Sequence, residues 1–393
     1  MKWQKRGHEF DKEAKKILSV PNIIEKCYIF GAGLLGKTLL VLLKAYNYEV
    51  SFIDNSIDKQ GTKVKGTDII SLDKYLQKKD GLIVIAASAD NTVRIGKQLE
   101  RHVLKHGKDF LLYEEFINYI FPIISVYGFN KTYVSLSQIS LTERCSLKCK
   151  KCAHGCYAVD NKTSIDLTLN QVYKSADSFF SKVDFAREFV LIGGEPLLYR
   201  NLAQAISYVG ERYRGQIGIY SITTNGTIVP DEIVMDACKK YNVLIRISNY
   251  SRQISRLRER HKELISALEK NGVSYILGKE ETQWMDYGFE FVNRSENEEE
   301  LIKVFDACKT PCREVRENKF YYCVMARSVS DNLGYYVGEK DYLDLERLDS
   351  LEYKKELLEF TLGYSEKGYL DMCHHCNGLE AKNYPIPAAE QIK

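Results

Sequence analysis

The chain of 393 residues has only 7 prolines, 2 tryptophans and 5 methionines. So little proline beside 45% hydrophobic residues excludes a disordered or fibrous chain. An excess of one charge is also missing: 56 Lys and Arg against 53 Asp and Glu leave a formal +3, so no electrostatic ground exists to expect a nucleic-acid partner. No run approaches ~18 uninterrupted apolar residues, so no membrane span is expected. The stretch from Met1 to Phe10 is basic but has no apolar core, unlike a signal peptide, and the expected location is cytoplasmic. Internal repeats and low-complexity tracts are absent from the sequence. Cysteine, by contrast, is plentiful: 11 residues, where thiols stay reduced, point to metal or redox chemistry rather than disulfides.

At roughly 150 residues per domain the length predicts two or three domains. The expected class is α/β, with domains at 1–125, 126–300 and 301–393. In the first, strands at Ile24 to Phe30, Glu49 to Ile53, Gly81 to Ser88 and Asp109 to Tyr113 alternate with helices, the pattern of a doubly wound parallel sheet. In the second, strands at Tyr133–Leu141, Glu188–Ile192, Gln216–Thr223, Val243–Ser248 and Val273–Leu277 alternate with helices at Leu169–Lys182, Asn201–Glu211, Asp231–Lys239 and Arg252–Lys270. Polar and glycine motifs follow the C-terminal ends of those strands, where β/α barrels build their sites. The third segment has weak periodicity and a group of cysteines, the composition of chain organised by a metal. The acidic run from Glu296 to Glu300 reads as a solvated helix start.

Cys145-Ser-Leu-Lys-Cys149-Lys-Lys-Cys152 follows the first strand of the second segment. Three thiolates so spaced in one loop can hold three irons of a [4Fe-4S] cluster and leave the fourth iron open. A zinc loop is the alternative, with Cys156 or His154 as fourth ligand. Further along lie Gly193-Gly194-Glu195-Pro196, Thr223-Thr224-Asn225-Gly226 and Arg246-Ile247-Ser248-Asn249, each at a strand end. In this order the motifs resemble the radical S-adenosylmethionine (radical SAM) enzymes, over residues 133 to 280. The resemblance implies a partial (β/α)6 barrel and a SAM-binding cluster on Cys145, Cys149 and Cys152. It also implies SAM contacts from Gly193, Gly194, Glu195 and Pro196, from Thr223 and Asn225, and from Arg246 and Ser248. The residue before the last cysteine, usually aromatic, is Lys151. For Arg246 a structural salt bridge stands as the alternative, for Thr223 a turn. Gln283, Trp284, Tyr250 and Tyr287 are candidates for a sugar-binding mouth, or for packing.

Cys312-x10-Cys323 and Cys373-x2-Cys376 resemble the Twitch domain, the shorter relative of the SPASM domain. That implies an auxiliary [4Fe-4S] cluster on Cys312, Cys323, Cys373 and Cys376, with Asn318 where a hairpin glycine is usual. Structural zinc is the alternative. Cys308 is then the odd thiol: a hydrogen donor that would make the enzyme an epimerase, or a core residue. Without such a donor, the substrate radical would lose an electron to the auxiliary cluster and an alcohol would become a ketone.

Gly31-x-Gly33-x-x-Gly36 lies between strand and helix, and Asp54 ends the next strand. That context suits a pyrophosphate at the helix N-terminus and a ribose on Asp54. Through GAGLLGK and FIDNS the segment resembles the short Rossmann-type domains of glycan and nucleotide-sugar biosynthesis, which bind a nucleotide or serve as docking modules. Together these resemblances imply an oxidoreductase or epimerase with a carbohydrate or nucleotide-sugar substrate and an external one-electron donor such as flavodoxin or ferredoxin. A peptide maturase, and a non-catalytic iron–sulfur or zinc protein that binds nucleotide, are the rival readings.

Overall fold

The computed structural model describes residues 1–164, 166–294, 297–308, 310–348 and 352–392. The chain divides into two compact units, Gly7–Ser135 and Met1–Arg6 with Leu136–Lys393. The segments expected at 126–300 and 301–393 thus fall largely within one unit.

In the first unit, strands β1 (Lys26–Phe30), β2 (Glu49–Ile53), β3 (Lys63–Val64), β4 (Thr67–Ile70), β5 (Leu82–Ile85) and β6 (Phe110–Leu112) form one sheet in the order β3-β4-β2-β1-β5-β6. Every neighbouring pair is parallel except the β3–β4 hairpin. Parallel strands covered on both faces read as continuous apolar runs, and Leu-Ile-Val-Ile of β5 is buried throughout. The helix Ala89–Arg101 turns Ile95 and Leu99 into the same core as Tyr28, Phe30, Ile53, Ile83 and Ile85. Lys65 and Gly66 join β3 to β4, both at positive φ (48° and 76°), the combination a tight hairpin requires. Sequence patterning did not reveal this hairpin, because Lys-Gly is a weaker turn signal than Asn-Gly.

The second unit is built on an eight-stranded sheet. Strands β7 (Tyr133–Ser140), β8 (Phe185–Ile192), β9 (Ile217–Thr224), β10 (Leu244–Asn249) and β11 (Tyr275–Glu280) alternate with helices Leu169–Lys182, Leu202–Tyr213, Glu232–Lys240 and Leu257–Asn271. After β11 the chain forms the short strand β12 (Gln283–Met285) rather than another helix and barrel strand. Among the described residues the expected sixfold repeat therefore stops at five strands. Strands β13 (Arg313–Arg316), β14 (Lys319–Tyr321) and β15 (Tyr342–Asp344) continue the sheet on the opposite edge, giving β11-β10-β9-β8-β7-β13-β14-β15. Here β13 pairs parallel to β7, and the remaining two steps are antiparallel. The final strand, β16 (Pro385–Pro387), pairs antiparallel with β12.

The C-terminal third is more regular than its periodicity suggested, with helices Glu298–Ala307, Val324–Leu333 and Tyr353–Thr361. Asn297 caps the first of these through its side chain, and Glu296 lies outside the described residues. In the β13–β14 turn the left-handed position is Glu317 (φ 54°), not Asn318. Asn318 instead donates to Asp344 Oδ1 (2.6 Å) and so fixes the end of β15.

Gly36 is demanded by packing, since a Cβ there would lie 2.0 Å from the carbonyl oxygen of Gly31, whereas one on Gly33 would meet nothing within 4 Å. Gly36→Ala should therefore lower stability by about 1–3 kcal/mol, and Gly33→Ala should stay within about 0.5 kcal/mol of the parent. Thermal unfolding of the two variants checks this.

Candidate functional site

The loop after β7 is held by backbone. Gly194 N donates to Thr142 O and Glu195 N to Arg144 O, both at 2.8 Å. A Cβ on Gly193 would stand 2.3 Å from Thr142 O, and one on Gly194 2.3 Å from Arg144 O, so only glycines let the end of β8 lie this close. Arg144 grips Asp166 with two hydrogen bonds (2.9 and 2.5 Å) and reaches Leu198 O at 3.0 Å. Asn161 holds Cys145 at both backbone polar groups, accepting from its N–H (3.1 Å) and donating to its carbonyl (2.7 Å).

Each sulfur of the triplet has a hydrogen-bonding neighbour. The N–H of Leu147 (3.5 Å) and the amide of Asn225 (3.7 Å) donate to Cys145 Sγ. Gln391 donates to Cys149 Sγ at 3.1 Å. Cys156, the alternative zinc ligand by sequence, is buried and hydrogen-bonded to Cys152, and this bond lowers the Cys152 thiol below its ordinary range. Burial pushes Cys145 up to about 12 and Cys149 up to about 11, so loading these thiols with metal would release protons. Among the described residues, no three His, Cys, Asp or Glu side chains converge closely enough to hold a single metal ion.

The triplet lines a cavity of about 390 Å³. Of the residues expected to contact SAM, Gly193, Gly194, Thr223, Asn225 and Ser248 line it too, as do Gln283, Trp284, Tyr250 and Tyr287 from the proposed mouth. Tyr250 and Trp284 meet edge to face at 5.4 Å, and the Trp284 indole donates to Glu281. Lys151, at φ 57°, turns its ammonium to Glu290 (2.6 Å) and over the Phe291 ring.

Glu195, Pro196 and Arg246 are placed differently. Glu195 is fully buried, and its carboxylate accepts from Thr224 Oγ1 (2.8 Å), Asn225 N (2.8 Å) and Leu197 N (3.1 Å). It ties the ends of β8 and β9 together and caps the short turn Pro196–Leu198. Its carboxylate is thus engaged by protein donors rather than presented to an ammonium. Arg246 Nε pairs with buried Glu188 (2.8 Å), which also accepts from Ser221 Oγ, as its structural alternative proposed.

A second cavity, also about 390 Å³, is lined by Cys308, Cys312, Cys323, Cys373 and Cys376, and shares Ala153, His154, Met285 and Tyr287 with the first. Cys308 is half-buried, one position beyond the helix Glu298–Ala307, and not a core residue. That helix packs against the turns Asp371–His375 and Gly378–Asn383, which carry or flank Cys373 and Cys376. Burial raises Cys323, Cys373 and Cys376, and Cys308 is among the thiols that raise each of them further. Cys312 is raised by burial too, with Arg313 lowering it and Glu188 and Glu314 raising it.

In the N-terminal unit, Gly31, Gly33 and Asp54 line a polar cavity with Lys59 and Arg94. Gly36 does not line it; its role is the packing described above. Asp54 accepts from Ala32 N (3.2 Å), Ser56 N (2.9 Å) and Lys59 Nζ (2.9 Å). Burial acts to raise its carboxyl, yet these donors outweigh it and hold the group below the usual carboxylate range.

Residues 139–274 match the model of the Radical SAM superfamily, so the chain carries a radical SAM domain there. Among curated proteins, GTP 3',8-cyclase of Syntrophomonas wolfei is 35% identical over 95 residues, 24% of this chain and 28% of that protein. The protein of the same name from Rhizobium etli is 28% identical over 111 residues, 27% of this chain and 29% of that protein. The chain thus spans less than a third of the length of these curated relatives. Among solved structures, BtrN in complex with AdoMet and 2-DOIA is similar over 63% of this chain and 94% of its own, at 15% identity and TM-score 0.38. Native anSMEcpe with bound AdoMet and Cp18Cys peptide is similar over 37% of this chain and 42% of its own, at 16% identity and TM-score 0.29.

Sequence reasoning missed Asn161, Gln391 and a buried charge network. Arg327, 2% exposed, pairs with Glu143 and with Glu314 (2.6 Å), and Asn332 donates to Glu143. The network joins the triplet loop to the helix after Cys323, across more than 180 positions of sequence that no local pattern links.

Glu195→Ala would leave Asn225 N and Leu197 N without their acceptor, and should cost about 2–3 kcal/mol in unfolding of the cluster-free chain. Burial lifts the Glu195 carboxyl to about 7 against an ordinary 4.5. Between those values the folded chain keeps a proton that the unfolded chain releases. The stability this group contributes is therefore full below pH 4.5 and lost as pH rises through about 7. Unfolding measured across that window should fall less steeply for Glu195→Gln than for the parent.

Proposed function

We propose that this protein is a radical SAM enzyme with two [4Fe-4S] clusters, acting on a carbohydrate or nucleotide-sugar. The observation that carries the reading is the shared cavity: three cysteines of one loop face the ends of β8, β9 and β10 across a space of about 390 Å³. All three thiols line that cavity, an arrangement that suits a cluster with one open iron. When bound there, the reduced cluster with SAM supplies the 5′-deoxyadenosyl radical that abstracts hydrogen from substrate. Cys145, Cys149 and Cys152 would hold three irons. The close-packed backbone of Gly193 and Gly194, with Ser248, would seat SAM, while Glu195 keeps those strand ends in place. Tyr250 and Trp284 would form part of the wall beside the reacting atoms.

Cys308, Cys323, Cys373 and Cys376 would hold the auxiliary cluster: all four line the second cavity, and Cys308 acts electrostatically on each of the other three. With Cys308 a ligand, its S–H cannot quench a substrate radical, which favours loss of an electron and dehydrogenation over epimerisation. The N-terminal sheet, read as Rossmann-type, supports a nucleotide-linked substrate: Gly33 opens on a polar cavity whose cations, Lys59 and Arg94, suit phosphate. An external one-electron donor such as flavodoxin or ferredoxin would reduce the clusters.

Anaerobic reconstitution tests the reading. The parent should bind about eight irons with matching acid-labile sulfide and form 5′-deoxyadenosine from SAM. The Cys145→Ala/Cys149→Ala/Cys152→Ala variant should keep about four irons and form none. Cys308→Ala should lose about four irons, and Cys312→Ala should lose none. Zinc without sulfide would overturn the assignment, and iron lost with Cys312 but not with Cys308 would overturn the ligand set.

A further inference from the structure

The C-terminal segment returns to the triplet loop. After β16 pairs with β12, Ala388 and Ala389 are buried, and Ala389 packs against Leu147, Cys149, Ile254 and Leu257. The chain then runs antiparallel to the loop itself. Lys150 N donates to Glu390 O (2.7 Å), Ile392 N donates to Lys148 O (2.8 Å), and Lys150 Nζ pairs with Glu390 (2.6 Å). Between these contacts the Gln391 side chain is fixed at both ends. Its Oε1 accepts from Lys148 N (2.9 Å), while its Nε2 donates to Ala389 O (2.7 Å) and to Cys149 Sγ (3.1 Å). This pattern sets the orientation of the amide: turned over, its oxygen would face a carbonyl and a sulfur, and its NH2 would face an N–H.

We propose that Gln391 is a positioning residue that tunes the SAM-binding cluster, through a hydrogen bond aimed at the Cys149 thiolate. This rests on the reading of Cys145, Cys149 and Cys152 as cluster ligands. Reduction places additional negative charge on a cluster and its thiolates, so a donor to sulfur stabilises the reduced form more than the oxidised form and raises the potential. The amide is pre-oriented by two bonds that do not depend on the cluster, so little reorganisation accompanies electron uptake. The segment carrying it also forms the ladder with Gln283–Met285, which line the same cavity. The residue that sets the potential and the wall of the cavity thus belong to one strap.

The test is a redox titration of the reconstituted full-length protein, followed by the electron paramagnetic resonance signal that changes on addition of SAM. Gln391→Met keeps the length and removes the donor; Gln391→Glu keeps the acceptor for Lys148 N and places a carboxylate near sulfur. Both should retain the parent's iron content and titrate at more negative potential. At a fixed reductant potential the ratio of reduced to oxidised cluster should fall about tenfold in Gln391→Met, and further in Gln391→Glu. A midpoint unchanged in Gln391→Met overturns the proposal, as does a shift of opposite sign in Gln391→Glu. Failure of the underlying reading looks different: the triple cysteine variant would then retain the full iron content and the SAM-sensitive signal.

Discussion

The site depends on the close approach of two backbones. The loop Thr142–Cys145 can lie against the end of β8 only because Gly193 and Gly194 lack side chains, since a Cβ on either would overlap a carbonyl oxygen at 2.3 Å. Once that approach is made, Gly194 N and Glu195 N satisfy the carbonyls of Thr142 and Arg144, and Glu195 is drawn below the surface to cap its own turn and bind the end of β9. Cys145 is then positioned relative to three strand ends at once. With this contact made, the loop is one wall of the cavity.

A second constraint works from the other side. Arg327 is 2% exposed and lies between Glu143 and Glu314, with Arg316 and Asn332 also directed to Glu143. Buried ion pairs of this kind add little net stability, but removal of one partner strands a charge, so the alternatives to this packing are heavily disfavoured. The network fixes the start of the triplet loop against the helix that begins after Cys323. The two cysteine-lined cavities share Ala153, His154, Met285 and Tyr287.

Much of the fold was legible because the parallel strands are rich in buried apolar residues, continuously so in β5. The helix Leu169–Lys182 was placed to the residue, and in the structure Thr168 and Gln171 cap its start reciprocally. Three features were not legible. The β3–β4 hairpin turns on Lys65 and Gly66, where positive φ at a lysine has no sequence signature. The sixth barrel strand suggested by resemblance does not follow β11, because the chain instead builds the β12–β16 ladder with residues about 100 positions later. At the site, the motif order placed the cysteines, glycines, Asn225 and Ser248 around one cavity. It assigned Glu195 to the ligand and left Arg246 between the ligand and a salt bridge; the structure engages both with protein partners. A charged residue at a strand end looks the same in sequence whether it faces a ligand or a neighbouring strand. Gln391 and Arg327 lay beyond reach for a related reason: their partners in the triplet loop, Cys149 and Glu143, are more than 180 positions away.

The central claim is that the loop of Cys145, Cys149 and Cys152 holds a cluster with an open iron that receives SAM within this cavity. Electron–nuclear double resonance on the reduced protein with SAM labelled at its amino nitrogen tests it most directly. The account predicts hyperfine coupling of the label to one of two reduced clusters, with that coupling lost in Cys145→Ala. No coupling in the parent, at full cluster occupancy with SAM bound, would contradict it.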